Sequence, residues 1–255
     1  NLDDPESLAT LVARIAPDVV VNAAAYTAVD RAETEREAAC RANAEAPRAL
    51  AEACARRGAR LVHYSTDYVF DGRGARPYRE EDPTAPTSVY GESKLAGEDA
   101  IRASGADHLI LRTAWVYAPR GRNFLLTMLR LGAERGRLRV VADQVGTPTS
   151  AALIADATAR VIAHPTRASG TWHLTASGQA SWHGFAEAIF AGAVERGLLA
   201  RAPMVEAIST AEYPTPAARP AYSVLDTTKL QRDFGIAPPD WREGLSRALD
   251  ALERD

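Results

Sequence analysis

Val19-Val20-Val21-Asn22-Ala23-Ala24-Ala25 is a short unbroken apolar run that ends in an amide and three small residues. A run of this kind reads as a fully buried parallel strand whose carboxyl end opens into a small-residue loop. The flanks support it. Upstream, Pro5 to Ala16 carries Leu8, Leu11, Val12 and Ile15 on one helical face, with Asp4 placed to cap it and Pro5 at its first position. Downstream, Glu33 to Arg57 reads as one helix ending at Gly58, and Arg60 to Tyr64 as the next strand. Pro77, Pro83 and Pro86 keep residues 71–87 in a loop, and Val89 to Arg102 is helical. Leu109 to Thr113 is a third strand and Phe124 to Arg135 another helix. Strands alternating with helices at this spacing predict an α/β fold on a parallel sheet, which binds ligands beyond the carboxyl ends of its strands. Those ends hold Asn22 to Tyr26, Ser65 to Asp67 and Trp115 to Tyr117.

Beyond residue 135 the pattern loosens. Leu138 to Val141 reads as a strand, residues 143–149 as a loop, Ser150 to Ala163 as a helix, Thr171 to Thr175 as a last sheet strand and Trp182 to Arg196 as a helix. The Pro- and Ala-rich stretch from Ala202 to Ser223 suggests a smaller lobe over the carboxyl edge of the sheet. The expected division is a dinucleotide-binding unit of residues 1–137, to which 150–175 return, and a substrate-binding lobe of 138–149 and 176–255.

Bulk properties narrow the function. The 255 residues are 46% hydrophobic and 25% charged, and the net charge of −3 offers no attraction for nucleic acid or an anionic membrane. No apolar run approaches the ~20 residues of a membrane span. The opening Asn1 to Pro5 is acidic, without the apolar segment of an export leader. Cys40 and Cys54 on one helix would stand ~21 Å apart, too far for a disulfide. Reduced thiols and a cytoplasmic location are therefore expected. The five histidines show no paired metal-ligand spacing, so no metal is expected.

Tyr90-Gly91-Glu92-Ser93-Lys94 places a phenol and an ammonium one helical turn apart. An adjacent ammonium lowers a phenol's pKa from ~10, which would let the pair hand a proton to a developing alkoxide. Tyrosine and lysine four apart also occur by chance in many helices. Here, however, the chain holds 28 Arg and only two Lys, Lys94 and Lys229. Thr66 and Asp67 could bond a substrate oxygen or a sugar hydroxyl, or could simply close a strand-end turn. Asn22 to Ala25 reads equally as a close-approach loop for a dinucleotide and as tight helix–strand packing. Trp115 and Tyr117 could stack on a sugar or base, or could be rim packing.

Three blocks together resemble the dTDP-4-dehydrorhamnose reductase family of the extended short-chain dehydrogenases. They are Val20 to Asp30, His63-Tyr64-Ser65-Thr66-Asp67-Tyr68-Val69-Phe70-Asp71-Gly72, and Tyr90-Gly91-Glu92-Ser93-Lys94-Leu95-Ala96-Gly97-Glu98. Arg112 to Tyr117, Asp143 to Thr149 and Tyr213 to Ala217 extend the likeness nearly end to end. The resemblance implies a Rossmann-like doubly wound parallel sheet, truncated at its N-terminus, with a smaller C-terminal lobe. It implies hydride transfer from NADPH or NADH to C4 of dTDP-4-dehydro-L-rhamnose, a nucleotide-sugar step toward cell-surface polysaccharide. Tyr90, Lys94 and Thr66 would be catalytic. Ala24, Ala25, Tyr26, Tyr64, Tyr90 and Lys94 would line the cofactor, and Val29, Thr66, Asp67, Tyr68 and Trp115 the sugar. Lys94 would hold the nicotinamide ribose and depress the Tyr90 pKa. A homodimer is compatible with it. The family's glycine-rich phosphate turn is expected ahead of residue 1, so the 255 residues alone are expected to bind cofactor poorly and to be inactive. The alternatives are a non-catalytic binding subunit of the same fold, similar to the regulatory subunit of methionine adenosyltransferase, and a reductase or epimerase of another nucleotide deoxysugar.

Overall fold

The computed structural model of the chain describes residue 2 and residues 4–253, so the opening read as acidic lies partly outside the described residues. Helix α1 (Pro5–Ile15) starts at Asp4, whose carboxylate accepts the Ser7 amide at 3.2 Å, and buries Leu8 and Val12 one turn apart. Strand β1 (Val19–Asn22) follows.

The helix expected over Glu33 to Arg57 is divided. After α2 (Val29–Ala32) come α3 (Arg36–Cys40), a π-helical turn at Arg41–Glu45, and α4 (Ala46–Arg57). Pro47 is the physical reason. It has no N–H to give the carbonyl of Asn43 four residues back, and its ring would collide with that carbonyl. The turn widens by one residue instead. Gly58, at φ 76°, caps α4.

Strand β2 (Arg60–Thr66) runs two residues past its expected end, because Ser65 and Thr66 stay in register with Arg112 and Thr113 of the next sheet strand. The order continues with α5 (Val89–Ala103), β3 (His108–Thr113), β4 (Val116–Tyr117), α6 (Phe124–Glu134), β5 (Arg137–Val141), β6 (Val145–Gly146) and β7 (Thr149–Ser150). Then come α7 (Ala151–Ala163), β8 (Gly170–His173), β9 (Ala180–Ser181), α8 (Trp182–Glu195), β10 (Met204–Ile208), α9 (Thr228–Phe234) and α10 (Trp241–Glu253).

The main sheet has the order β1-β2-β3-β8, and every pairing in it is parallel. Helices cover both faces, as a doubly wound sheet requires. On one face Leu8 and Val12 of α1, Leu50 and Cys54 of α4 and Ile101 of α5 pack over Leu61 and Ile110. On the other, Ile154, Ala157 and Val161 of α7, with Leu230 and Phe234 of α9, pack over Val62, Leu109, Leu111 and Trp172. A second core joins Leu125 and Met128 of α6, Leu138 and Val140 of β5, Phe185, Ile189 and Phe190 of α8, and Trp241, Leu245 and Leu249 of α10. Its strands form a separate parallel pair, β5 with β10. The proline-rich composition after Ala202 concealed β10. Among the described residues no helix is long and apolar enough to cross a membrane. Cys40 and Cys54 are both free thiols.

Candidate active site

The carboxyl end of β2 turns at once into a 3₁₀ turn, Asp67–Val69. Thr66 organises it: its hydroxyl accepts the Tyr68 amide at 3.2 Å and donates to Asp67 Oδ1 at 3.0 Å. Asp67 is buried, and burial pushes its carboxyl up to about 6 against hydrogen bonds from Ser223, Thr66 and backbone amides. Only Oδ1 has a full hydrogen bond; Oδ2 and the nearby Ser223 hydroxyl are each buried without a well-formed one.

Helix α5 brings the second half. Ser88 caps it by accepting the Gly91 amide at 3.2 Å, and Glu33 takes the Val89 amide at 2.9 Å. Gly91 has to be glycine, because a Cβ there would stand 2.3 Å from the Tyr68 carbonyl. That close approach sets Tyr90 against the turn. Its ring meets Tyr68 edge-on at 5.5 Å, with the Thr66 hydroxyl beside its phenol.

Here the structure corrects the expectation that Lys94 lowers the Tyr90 pKa. Burial raises the Tyr90 phenol, Asp67 and Tyr68 raise it further, Thr66 opposes, and Lys94 is not among the groups acting on it. The Lys94 amine instead donates to the Tyr64 carbonyl at 2.6 Å and lies 3.2 Å from His63 Nε2. Sharing a helix face was not enough, because the carbonyl and imidazole of β2 capture the lysine. Burial brings Lys94 down to about 8, against Glu98 one turn further along. His63, also buried, is driven well below the usual histidine range by burial first and by Lys94 second.

The remaining expected residues distribute as follows. Ala24 is exposed, and Ala25 and Tyr26 are half-buried, beyond the carboxyl end of β1. Asn43, on the π turn, clamps this loop: its side chain accepts the Tyr26 amide at 2.8 Å and donates to the Tyr26 carbonyl and to Ser93 Oγ, both at 3.0 Å. The Tyr26 phenol turns to Glu35 at 2.6 Å. The Tyr64 phenol pairs with Thr158 of α7 at 2.8 Å, so Tyr64 meets Lys94 only through its backbone. Trp115, at φ 47°, stacks on Trp182 with centroids 3.5 Å apart. Gly146 accommodates that ring, since a Cβ there would lie 2.5 Å from it.

A cleft of about 1210 Å³ opens beside Tyr68. Val29, Asp30 and Tyr68 form its wall on the sheet side, and Phe124, Met128, Trp182 and Ile208 its apolar wall on the second core. Arg135, Arg137, Arg139 and Arg219 also line it, the last three in ion pairs with Glu206, Glu212 and Asp30. The structure thus gathers Thr66, Asp67, Tyr68 and Tyr90, with Val29 on the same wall of the cleft as Tyr68. It leaves Trp115 outside that wall and sets Lys94 against β2. Sequence reasoning missed Asn43, Asp30, Arg219, Trp182 and the His63–Asn22 contact. His63 lies two residues before Ser65 on β2, the strand leading into the site. Among the described residues no group of His, Cys, Asp and Glu could hold a metal ion.

The arrangement can deliver a proton from Tyr90 to an oxygen that Thr66 also meets, beside a cleft of about 1210 Å³. Comparison with known proteins bears on which substrate. The RmlD substrate binding domain family matches residues 1–254. The dTDP-4-dehydrorhamnose reductase of Burkholderia thailandensis is 52% identical over 253 residues, 95% of this chain and 84% of that protein. That of Escherichia coli K12 is 48% identical over 255 residues, 99% and 85%. The crystal structure of the Bacillus anthracis dTDP-4-dehydrorhamnose reductase in complex with NADP superposes with a TM-score of 0.92 at 38% identity, covering 98% of this chain and 86% of that one.

Proposed function

This chain belongs to the RmlD substrate binding domain family, and from that premise we propose that it reduces the C4 ketone of dTDP-4-dehydro-L-rhamnose to dTDP-L-rhamnose with NADPH or NADH. The observation that carries the reading is the meeting of the Tyr90 phenol, the Thr66 hydroxyl and the half-satisfied Asp67 carboxyl at one strand end, beside the cleft.

The residues present fit the nicotinamide half of the cofactor. Ala23 and Ala24 expose backbone at the carboxyl end of β1, where larger side chains would block a close approach. Ala24, Ala25 and Tyr26 would line that group, and Lys94, with N–H capacity beyond its bond to Tyr64, would hold its ribose. When bound, the cofactor supplies the hydride. Tyr90 gives its proton to the C4 oxygen as negative charge develops there. A reduction needs this group as an acid, and the phenol is protonated throughout the neutral range. Thr66 donates to the same oxygen once it lets go of Asp67, and Asp67 Oδ2 accepts a sugar hydroxyl. Val29 and Tyr68 bound the sugar. Arg135, which lines the cleft, would meet the diphosphate. A cytoplasmic site belongs to this proposal and is supported by the free thiols; a homodimer rests on the resemblance alone.

The test is oxidation of NADPH by dTDP-4-dehydro-L-rhamnose in the presence of the purified protein. Wild type turns over. Tyr90→Phe loses about 10²–10⁴-fold in kcat, with nucleotide-sugar affinity kept within about threefold. Near-normal turnover by that variant removes Tyr90 from the acid role. No turnover by wild type, with turnover of another nucleotide deoxysugar, replaces the substrate.

A further inference from the structure

A chain of four hydrogen-bonding groups runs from the alanine loop to Lys94, and its directions can be read from one end. The Ala24 backbone N–H can only donate, and it donates to Asn22 Oδ1 at 3.2 Å. That fixes the Asn22 amide, so the group 3.0 Å from His63 Nδ1 is the Asn22 NH₂, a donor. His63 Nδ1 must then accept. A neutral imidazole with an accepting Nδ1 carries its hydrogen on Nε2, and Nε2 lies 3.2 Å from Lys94 Nζ. An N–H facing an ammonium would set two donors against each other. The contact is favourable only if the lysine offers a lone pair.

We propose that His63, oriented by Asn22, is a positioning residue that favours the neutral amine of Lys94 over its ammonium. Nε2–H of His63 donates to Nζ, one Nζ hydrogen goes to the Tyr64 carbonyl, and the other remains for a ligand. When Lys94 takes up a proton, the imidazole has to move its hydrogen to Nδ1, and the Asn22 amide has to turn over. Its NH₂ then confronts the Ala24 N–H. The charge on Lys94 is thereby tied to the backbone of the Ala23–Ala25 loop. That this loop serves a cofactor rests on the functional reading above; the hydrogen-bond chain does not.

The surroundings allow a switch near neutrality. Asn22, His63 and Lys94 are 5%, 1% and 2% exposed, so water does not complete their hydrogen bonds. The titratable groups facing Lys94 are His63 from β2 and Glu98 from its own helix. Glu98 is already matched by Arg112 of β3, at 2.9 and 2.7 Å, and by Arg102 of α5. Burial leaves Lys94 at about 8, where loss of the proton costs little, and keeps His63 from charging in its place.

The experiment reads protonation directly and needs no turnover. Uniformly ¹⁵N-histidine-labelled wild-type protein is followed by long-range proton–nitrogen correlation from pH 6 to 9, the His63 signals being those missing in His63→Gln. The expected result is hydrogen on Nε2 and a bare Nδ1 at pH 8, with ¹³C-labelled Lys94 titrating about two units or more below an ordinary lysine. Asn22→Asp keeps an oxygen for the Ala24 amide but offers Nδ1 a second acceptor. It should transfer the imidazole hydrogen to Nδ1 and raise the Lys94 midpoint by about one unit or more. The alkaline limb of kcat/KM should move with it, while KM for the nucleotide sugar stays within about twofold. A wild-type His63 with its hydrogen on Nδ1, or a Lys94 that titrates above 10, overturns the proposal whether or not the protein is a reductase. Failure of the assay above, with these signals as expected, overturns only the functional reading.

Discussion

Tyr90 must arrive at a ketone with its proton in place, and the side chains around it keep the proton there. Burial, Asp67 and Tyr68 all disfavour phenolate, and only Thr66 favours it. The ammonium that the residue spacing suggested as partner is engaged by β2, a consequence of tertiary placement that a four-residue interval cannot encode. Asp67 tells a similar story with a measurable stability effect. Its carboxyl lies near 3.9 in the unfolded chain and about 6 in the folded one. The folded state therefore binds the proton more tightly. The associated stability is full below about pH 4 and is lost as pH rises through 6. Asp67→Asn removes that loss. Thermal melts should show a gain of about 2–3 kcal/mol at pH 8 and almost none at pH 4. Equal gains at both pH values would mean that the carboxylate is not desolvated.

At the scale of the element, most strands and helices were legible because each buries a face with its own period. The strand Val19–Val21 and helices Pro5–Ile15 and Val89–Ala103 follow from apolar runs and caps that lie within a few residues of one another. Pro47 alters the long helix in a way its apolar period does not show: a helix that must skip one hydrogen bond widens into a π turn, and that turn presents Asn43 to Tyr26 and Ser93. Strand-end chemistry placed Thr66 and Asp67 at the carboxyl end of β2 but left them open between a site and a turn, and only the resemblance gave them a role. Asn43 was not legible, since its partners lie 17 and 50 positions away. The crossing of α5 over the π turn is correspondingly tight. A Cβ on Gly97 would sit 2.1 Å from the Asn43 carbonyl oxygen, a backbone atom that cannot swing aside. Gly97→Ala should cost about 1–3 kcal/mol in urea unfolding and lower kcat, because displacing α5 shifts Tyr90 and Lys94 together. Unchanged stability would show that the two helices part without strain.

Over the whole molecule, the cleft is a product of two cores that meet at the carboxyl edge of the main sheet. Asp30 of α2, just after the alanine loop, joins them. Its Oδ2 accepts from Arg219 at 2.7 Å and its Oδ1 from the Ala217 amide at 3.2 Å, clasping the segment that follows β10 against the sheet side. Arg219 also lies beside the Tyr68 phenol, so the clasp and the sugar wall share a residue. Neither partner stands out in the sequence, where 187 and 189 positions separate the bonded groups and Arg219 is one of 28 arginines. With the Arg219 side chain 19% exposed and Asp30 39%, the pair is only partly shielded. Its worth to global stability should be modest, about 1 kcal/mol. Its worth to substrate binding should be larger, because Arg219 lines the cleft directly. Arg219→Ala should therefore raise KM for the nucleotide sugar about tenfold while kcat stays within about threefold, since the proton donor on α5 is untouched. Arg219→Lys should recover only part of the loss, as an ammonium keeps the charge without the guanidinium's planar fork. If kcat fell and KM did not, the clasp would be ordering Tyr68 and Tyr90 rather than holding substrate, and the segment after β10 would belong to the proton-transfer machinery.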